Sequence, residues 1–385
     1  MPNLIDTFKD LFTKKKPLPA GMYSYQTPPE EERQYRLHLR VEHDGTGLLI
    51  INAATVLHLN QTASEYAYHL IEGTDPETVV NVVSKRYKID REQVRQDYQY
   101  FIDRINTLIE TPGLDPVTYL DIERQEPYSA EISAPYRLDC ALTYQVSDES
   151  YREAAPLDRV DRELTTDEWE VIFQKAFEQG IPHLLFTGGE PTLREDLPDL
   201  ILKAEQLGLV TGLLTDGLKL EEDAYRSMLL MNGLDHLMIV FNPDSPAAWE
   251  VLEKVLSDDI HTTVHLTLKA GEDLHFHLQR MAAMGVHAIS LTSASLDLAS
   301  ELEDLRNFAA VLQLDLVWDM PVPYSENNPV SLELEQSGEF EAPEGAGQAW
   351  LYVEPDGDVL PSQGLYQQIL GNILTDPWEK IWGNR

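Results

Sequence analysis

The sequence has one cysteine, Cys140, and is short of positive charge, with 29 Lys and Arg against 66 Asp and Glu for a formal net charge of −37. A single thiol excludes an intramolecular disulfide framework and leaves little scope for a thiolate metal site. So acidic a chain repels a phosphate backbone, and nucleic acid is not expected as a partner. A solvated acidic surface suited to a salty environment is the ordinary account of the charge, and a surface for a basic partner is the sharper one. No apolar run approaches the roughly 18 residues that read as a membrane span. The first residues, MPNLIDTFKDLFTKKK, lack a long apolar stretch followed by a small-residue cleavage site, so the expected location is the cytoplasm. No phosphate-binding glycine loop opens a helix after a strand, and GTG at 45–47 reads as a hairpin turn.

At 385 residues the chain can bury two or three cores. Leu4, Ile5, Phe8, Leu11 and Phe12 fall at helical spacing ahead of Lys14, Lys15 and Lys16. Residues 1–16 thus predict an amphipathic helix, either docking locally or touching a membrane surface or partner helix. Proline and glycine punctuate the following stretch, so residues 1–30 are expected to be this helix plus a linker. Between 35 and 59, Tyr35, Leu37, Leu39 and Val41 alternate with polar residues, HDGTG makes a turn, and LLIIN and TVLHLN supply two more strands. Three helices follow: one opened by a Thr62–Glu65 capping box, one with Pro76 in its first turn, and one opened by Asp90 and Gln93. The result is a βββααα unit over 31–112, of winged-helix type, and then a proline-rich linker over 113–135.

With LNQTASEYAYHLIEGTDPETVV at its centre, this order resembles the PqqD-like peptide-recognition domain of ribosomal-peptide maturation systems. The resemblance implies that an extended leader peptide binds along the open sheet edge, at Val56, Leu57, His58 and Leu59, in a groove shared with the third helix around Tyr98 and Phe101. Strand addition to unpaired backbone groups is the physical basis. A helical packing domain with a covered edge is the structural alternative.

From Tyr136 onward strands and helices alternate, which predicts an α/β domain over 136–325 built on a parallel sheet, a partial (β/α)6-type barrel. In such folds chemistry sits at the C-terminal ends of the strands. There the string FTGGEPTLREDL places Gly188 and Gly189, which permit close backbone approach, before Glu190, whose carboxylate can meet an ammonium group. The full string resembles the radical SAM superfamily. The resemblance implies that Gly188, Gly189, Glu190 and Pro191 form the loop for S-adenosylmethionine. It also implies that the loop after the first strand carries Cys-x3-Cys-x2-Cys for a [4Fe–4S] cluster.

In RLDCALTYQVSDES the first of these positions is Cys140, but the second is Tyr144 and the third Ser147. Iron–sulfur clusters need soft anionic thiolates, and a phenol and a hydroxyl are hard, mostly protonated substitutes. TDG at 215–217 and FNPDS at 241–245 also depart from the family pattern. The final stretch, WLYVEPDGDVLPSQGLYQQILGNILTDPWEKIW, resembles the SPASM/twitch-type extension over 326–385, with Ser362 at the cysteine position of an auxiliary cluster.

No cofactor is therefore expected, S-adenosylmethionine being retained only as an option. The favoured reading is a degenerate radical SAM homologue, a pseudoenzyme scaffold that binds a leader peptide or a partner maturation enzyme. One alternative is an active enzyme whose [4Fe–4S] cluster has unusual or partner-supplied ligands. Another is a cluster-free enzyme or ligand-binding barrel that takes an S-adenosylmethionine-like compound. His275 and His277 are two apart and could pair on a metal, although surface or hydrogen-bonded core histidines are commoner. Cys140 as a nucleophile would need a base and a lowered pKa, and its ordinary role is a small buried apolar side chain.

Overall fold

The computed structural model describes residues 18–28, 31, 33–52, 55–111, 114, 119, 132–147, 156–293, 296–317 and 345–383. The predicted helix over 1–16 and most of the linker over 113–135 lie outside them. Two compact units are present: Met1–Ser133 with Glu178–Gly180, and Ala134–Phe177 with Ile181–Arg385.

Among the described residues the first unit is a four-stranded antiparallel sheet, in the order β1 (Gly21–Gln26), β2 (Arg36–Val41), β3 (Gly47–Ile51), β4 (Thr55–Leu59), with the helices α1 (Gln61–Ile71), α2 (Pro76–Tyr87) and α3 (Arg91–Glu110). Alternation in β2 sends Leu37, Leu39 and Val41 into one core with Leu49, Ile51, Leu57, Ala67, Ile105 and Leu108. The expected βββααα order is there, and the sheet has a further strand. Gly21–Gln26, expected as linker, pairs with Arg36–Val41 along its full length. Its Tyr23 and Tyr25 pack against the core, a contribution that the neighbouring prolines obscure in sequence.

The start of α1 also differs from expectation. Asn60 is the N-cap, its side chain accepting from the Ala63 amide at 3.0 Å. Glu65 faces inward and meets Arg86 Nε at 3.3 Å instead of closing a capping box with Thr62. Asp90 caps α3 as expected, accepting from the amides of Glu92 and Gln93.

The second unit contains one ten-stranded sheet. Six parallel strands run in sequential order, β5 (Arg137–Thr143), β6 (His183–Gly188), β7 (Val210–Thr215), β8 (His236–Val240), β9 (His261–Leu268) and β10 (Ala288–Ser293). Each is followed by a helix: α4 (Thr166–Gln179), α5 (Leu197–Gln206), α6 (Asp223–Met231), α7 (Pro246–Leu256), α8 (His275–Met284) and α9 (Ala299–Val311). This is the expected set of six strand–helix units, in a sheet that stays open. A short seventh parallel strand, β11 (Asp315–Leu316), pairs with β10 at the sheet's end among the described residues.

Beyond β5 the sheet continues through β12 (Trp350–Val353), parallel to β5, and then antiparallel β13 (Asp358–Leu360) and β14 (Gly371–Asn372), before α10 (Trp378–Trp382). The C-terminal extension is thus part of the same sheet. No helix among the described residues is long and apolar enough to cross a membrane.

Alternation sorts this sheet into two faces. Leu184 and Phe186, Leu237 and Ile239, and Val264 and Leu266 pack beneath the helices in the large core. Leu185, Leu214 and Met238 form a separate apolar cluster on the inner face. Also on that face is His265, fully buried between the Ser290 hydroxyl, 3.0 Å from Nδ1, and the Thr267 hydroxyl, 3.2 Å from Nε2. Burial pushes its pKa down to about 4.

The unfolded chain takes up this proton near the ordinary value of about 6.5, and the folded chain resists until about 4. The stability so contributed is complete above pH 6.5 and is lost as pH falls through 4. In urea unfolding at a series of pH values, the advantage of the native chain over His265→Gln should narrow by roughly 3 kcal/mol between pH 7 and pH 4. Parallel curves for the two proteins would contradict this assignment.

Candidate functional site

The strand-end loops of the second unit carry the candidate site. All seven residues of β5 are buried, and its side chains alternate. Leu138, Cys140 and Leu142 enter the layer between sheet and helices with Trp169, Phe173 and Phe186, while Ala141 belongs to a cluster on the other face with Tyr144, Tyr352 and Leu360. Cys140 thus lies within the strand, three residues before its end, with Sγ 3.8 Å from the Leu138 carbonyl. Burial, and then the Asp139 carboxylate, hold the thiol far above its ordinary pKa.

This corrects the expected ligand register of Cys140, Tyr144 and Ser147. The first position is inside the sheet, and the loop begins only at Tyr144. Tyr144 is 2% exposed and donates its hydroxyl to Glu354 Oε1 at 2.8 Å. Ser147 is exposed and donates to the Asp216 carboxylate. Residues 148–155, DESYREAA, lie outside the described set, and their sequence supplies carboxylates and hydroxyls but no thiol.

At the end of β6 the chain turns through Gly188, with φ of +118°, and Gly189. A Cβ at Gly188 would lie 2.2 Å from the Thr143 carbonyl oxygen, and one at Gly189 would lie 2.0 Å from that of Gln145. Both glycines are therefore required by the chain's own first loop, which lies directly against them. The Gly189 amide donates to Thr143 O at 2.6 Å and the Glu190 amide to Gln145 O at 2.7 Å.

Glu190 is 1% exposed. Its Oε1 accepts from the Thr192 amide at 2.9 Å, the Thr192 hydroxyl at 2.5 Å and the Thr215 hydroxyl at 2.8 Å, and its Oε2 accepts from the Asp216 amide at 2.8 Å. Pro191 then opens a short 3-10 turn over Pro191–Leu193. The carboxylate expected to meet a ligand ammonium is thus tied to the β6 and β7 loops.

A second network, not expected from sequence, surrounds Glu354 at the end of β12. This carboxylate is 1% exposed and receives the Tyr144 hydroxyl on Oε1. Arg159 reaches it with two nitrogens, Nη2 at 2.6 Å from Oε2 and Nε on Oε1. The guanidinium also donates to Tyr366 O at 3.2 Å and lies 4.3 Å from the centre of the Tyr366 ring. Burial pushes the phenols of Tyr144 and Tyr352 well above their ordinary pKa. Glu354 stands just before the Pro-Asp-Gly turn, which was the sequence signal nearest to it.

Ser362, at the expected auxiliary-cluster position, is buried and accepts from Trp350 Nε1 at 3.3 Å. His275 and His277 do not converge. His275 sits between Asp273 at 2.7 Å and Asp304 at 3.1 Å, and His277 stacks on Trp249. No group of three or more potential metal ligands occurs among the described residues.

In the first unit, β4 is an edge strand, paired only with β3 among the described residues. Asn52 donates to Arg36 O and Glu42 to Thr46 O, which fixes the phase of the β2–β3 ladder. Alternation then turns Leu49 and its neighbours 47 and 51 toward β4, so Thr55, Leu57 and Leu59 bond to β3 and the backbone groups of Val56 and His58 point to the open edge. Val56 and His58 also have exposed side chains, whereas Leu57 is buried and Leu59 half-buried. On α3, Phe101 is half-buried, but Tyr98 packs inside a core with Tyr66, their ring centres 5.4 Å apart.

Residues 140–289 match the family model of the radical SAM superfamily. The chain is also similar in structure to SuiB from Streptococcus suis. Against SuiB bound to S-adenosylmethionine the identity is 13%, with 93% of this chain and 88% of that one covered and a TM-score of 0.59. Against SuiB bound to the precursor peptide SuiA the identity is 12%, with 89% and 86% covered and a TM-score of 0.56. At this identity the likeness establishes a shared fold.

Cys140 should resist thiol reagents in the native chain and give one thiol per chain only on denaturation, because its burial leaves neither access nor thiolate. Rapid labelling of the native protein would contradict its placement. Gly189→Ala should destabilise the domain by about 1–3 kcal/mol in urea unfolding, since the backbone oxygen it meets cannot move freely.

Proposed function

We propose that this chain is a cluster-free radical SAM homologue that acts as a scaffold in a ribosomal-peptide maturation system, binding a leader peptide or a partner maturation enzyme in the cytoplasm. The observation that carries the reading is the pairing of an open strand edge in the first unit with a strand-end loop in the second whose donors are a phenol, a hydroxyl and carboxylates. In the order β1-β2-β3-β4 both β1 and β4 are edge strands among the described residues, and of the two β4 is the one that this reading assigns to strand addition. Val56 and His58 offer backbone donors and acceptors there, and Phe101 gives the adjoining helix an apolar contact, which together fit a PqqD-like recognition domain. The fold shared with SuiB, a protein crystallised with a precursor peptide, supports the same class of partner.

The retained Gly188–Pro191 string supports a second reading, a barrel that takes an S-adenosylmethionine-like ligand without iron. An enzyme completed by ligands from a partner chain has as its support only the radical SAM match itself.

The test is titration of the full chain with peptides from precursor genes adjacent to its own, read by fluorescence anisotropy. One such leader should bind, and His58→Pro should weaken it at least about tenfold by removing an outward amide while sparing the β3 ladder. Unchanged affinity in a folded His58→Pro protein would exclude strand addition at β4.

A further inference from the structure

We infer that the segment Tyr144–Ser147 leaving β5 is fixed by a metal-independent network centred on Glu354, and that the Gly188–Glu190 turn it lies against is closed to S-adenosylmethionine. The inference deepens the scaffold reading, on which it rests, and separates it from the cluster-free ligand-binding alternative.

Three observations converge. Tyr144, the first residue after β5, and Arg159, in the segment leading into α4, both reach Glu354. A charge-assisted fork from the half-buried Arg159 and a phenol hydrogen bond, both onto a buried carboxylate, supply directional restraint of the kind a metal centre would otherwise give. Neither partner is then free to act as a ligand.

Next, two amides and the carboxylate of the turn already have partners within the chain. The Gly189 and Glu190 amides are used by Thr143 and Gln145, and the Glu190 carboxylate accepts from four donors of the chain. Three of these donors converge on Oε1 and the fourth, the Asp216 amide, reaches Oε2, so an incoming ammonium would compete with that amide or displace a donor from Oε1. Buried, the displaced group would be left unsatisfied.

Third, the loop is strapped across the turn. In the sheet β6 lies between β5 and β7, yet Ser147, from the β5 loop, donates to Asp216 at the end of β7. That hydrogen bond has to pass over the end of β6, where the glycine turn lies. Asp216 is held in place by its own contacts, its Oδ1 accepting from the Leu218 amide at 2.9 Å.

The deciding experiment is the thermal midpoint of the full chain, of Tyr144→Phe and of Glu354→Gln, each with and without about 1 mM S-adenosylmethionine, since a ligand of the native state raises the midpoint by mass action. S-adenosylmethionine should leave the wild-type midpoint unchanged. Tyr144→Phe should lower the midpoint by a few degrees and Glu354→Gln by roughly 3–10 °C, because the latter leaves a half-buried guanidinium poorly paired. If Glu354→Gln does not fold, Tyr144→Phe decides the point alone. A saturable rise in the wild-type midpoint, or variants that melt with the wild type, would overturn the inference. Leader binding is measured separately at β4, so a chain that takes S-adenosylmethionine and still binds peptide would sink this inference and leave the scaffold's peptide site standing.

Discussion

One buried carboxylate joins three parts of the second unit that are far apart in sequence. Glu354, at the end of β12, takes a phenol from the loop after β5 and a guanidinium from the segment leading into α4, and that guanidinium in turn covers the Tyr366 ring near the C-terminus. An ion placed so deep is costly to desolvate, and it is tolerated only where its lone pairs are satisfied with good geometry. Here the two-nitrogen approach of Arg159 and the Tyr144 hydroxyl meet that demand. The addition of β12 to the sheet beside β5 is what brings the carboxylate within reach.

The same logic extends across the strand ends. Glu190 is satisfied by threonine hydroxyls and backbone amides, and the two glycines before it leave room for the first loop's carbonyl oxygens. Polar groups that could serve a ligand are spent on the chain's own cohesion. In the first unit the reverse holds: β1 and β4 are the two edge strands, and the outward backbone groups of Val56 and His58 meet no strand among the described residues. Cohesion in one unit and an open edge in the other are what a scaffold for an extended peptide requires.

Much of this architecture was legible because it is written in periodicity. The six strand–helix units alternate with clear turn residues, and Leu37, Leu39 and Val41 announce the core face of β2 at a two-residue period. What depended on tertiary context was not legible. Gly21–Gln26 looked like linker because prolines flank it, and only its pairing with β2 makes it a strand. Counting from the lone cysteine placed a ligand triad in a loop, although Cys140 lies inside β5 and faces the helices. Spacing alone cannot tell a strand interior from the loop that follows. Glu65 fitted a capping box by spacing but is drawn inward by Arg86, and Glu354 gave no signal because its partners lie about 200 positions away in the chain.

The account stands most directly on iron and acid-labile sulfide per chain after anaerobic purification and reconstitution, measured with the thermal midpoint before and after chelation. It predicts no stoichiometric iron or sulfide in a folded protein and a midpoint that chelation leaves unchanged. About four of each per chain, with a midpoint that drops when they are removed, would show that a cluster holds the first loop after all and would contradict the central claim.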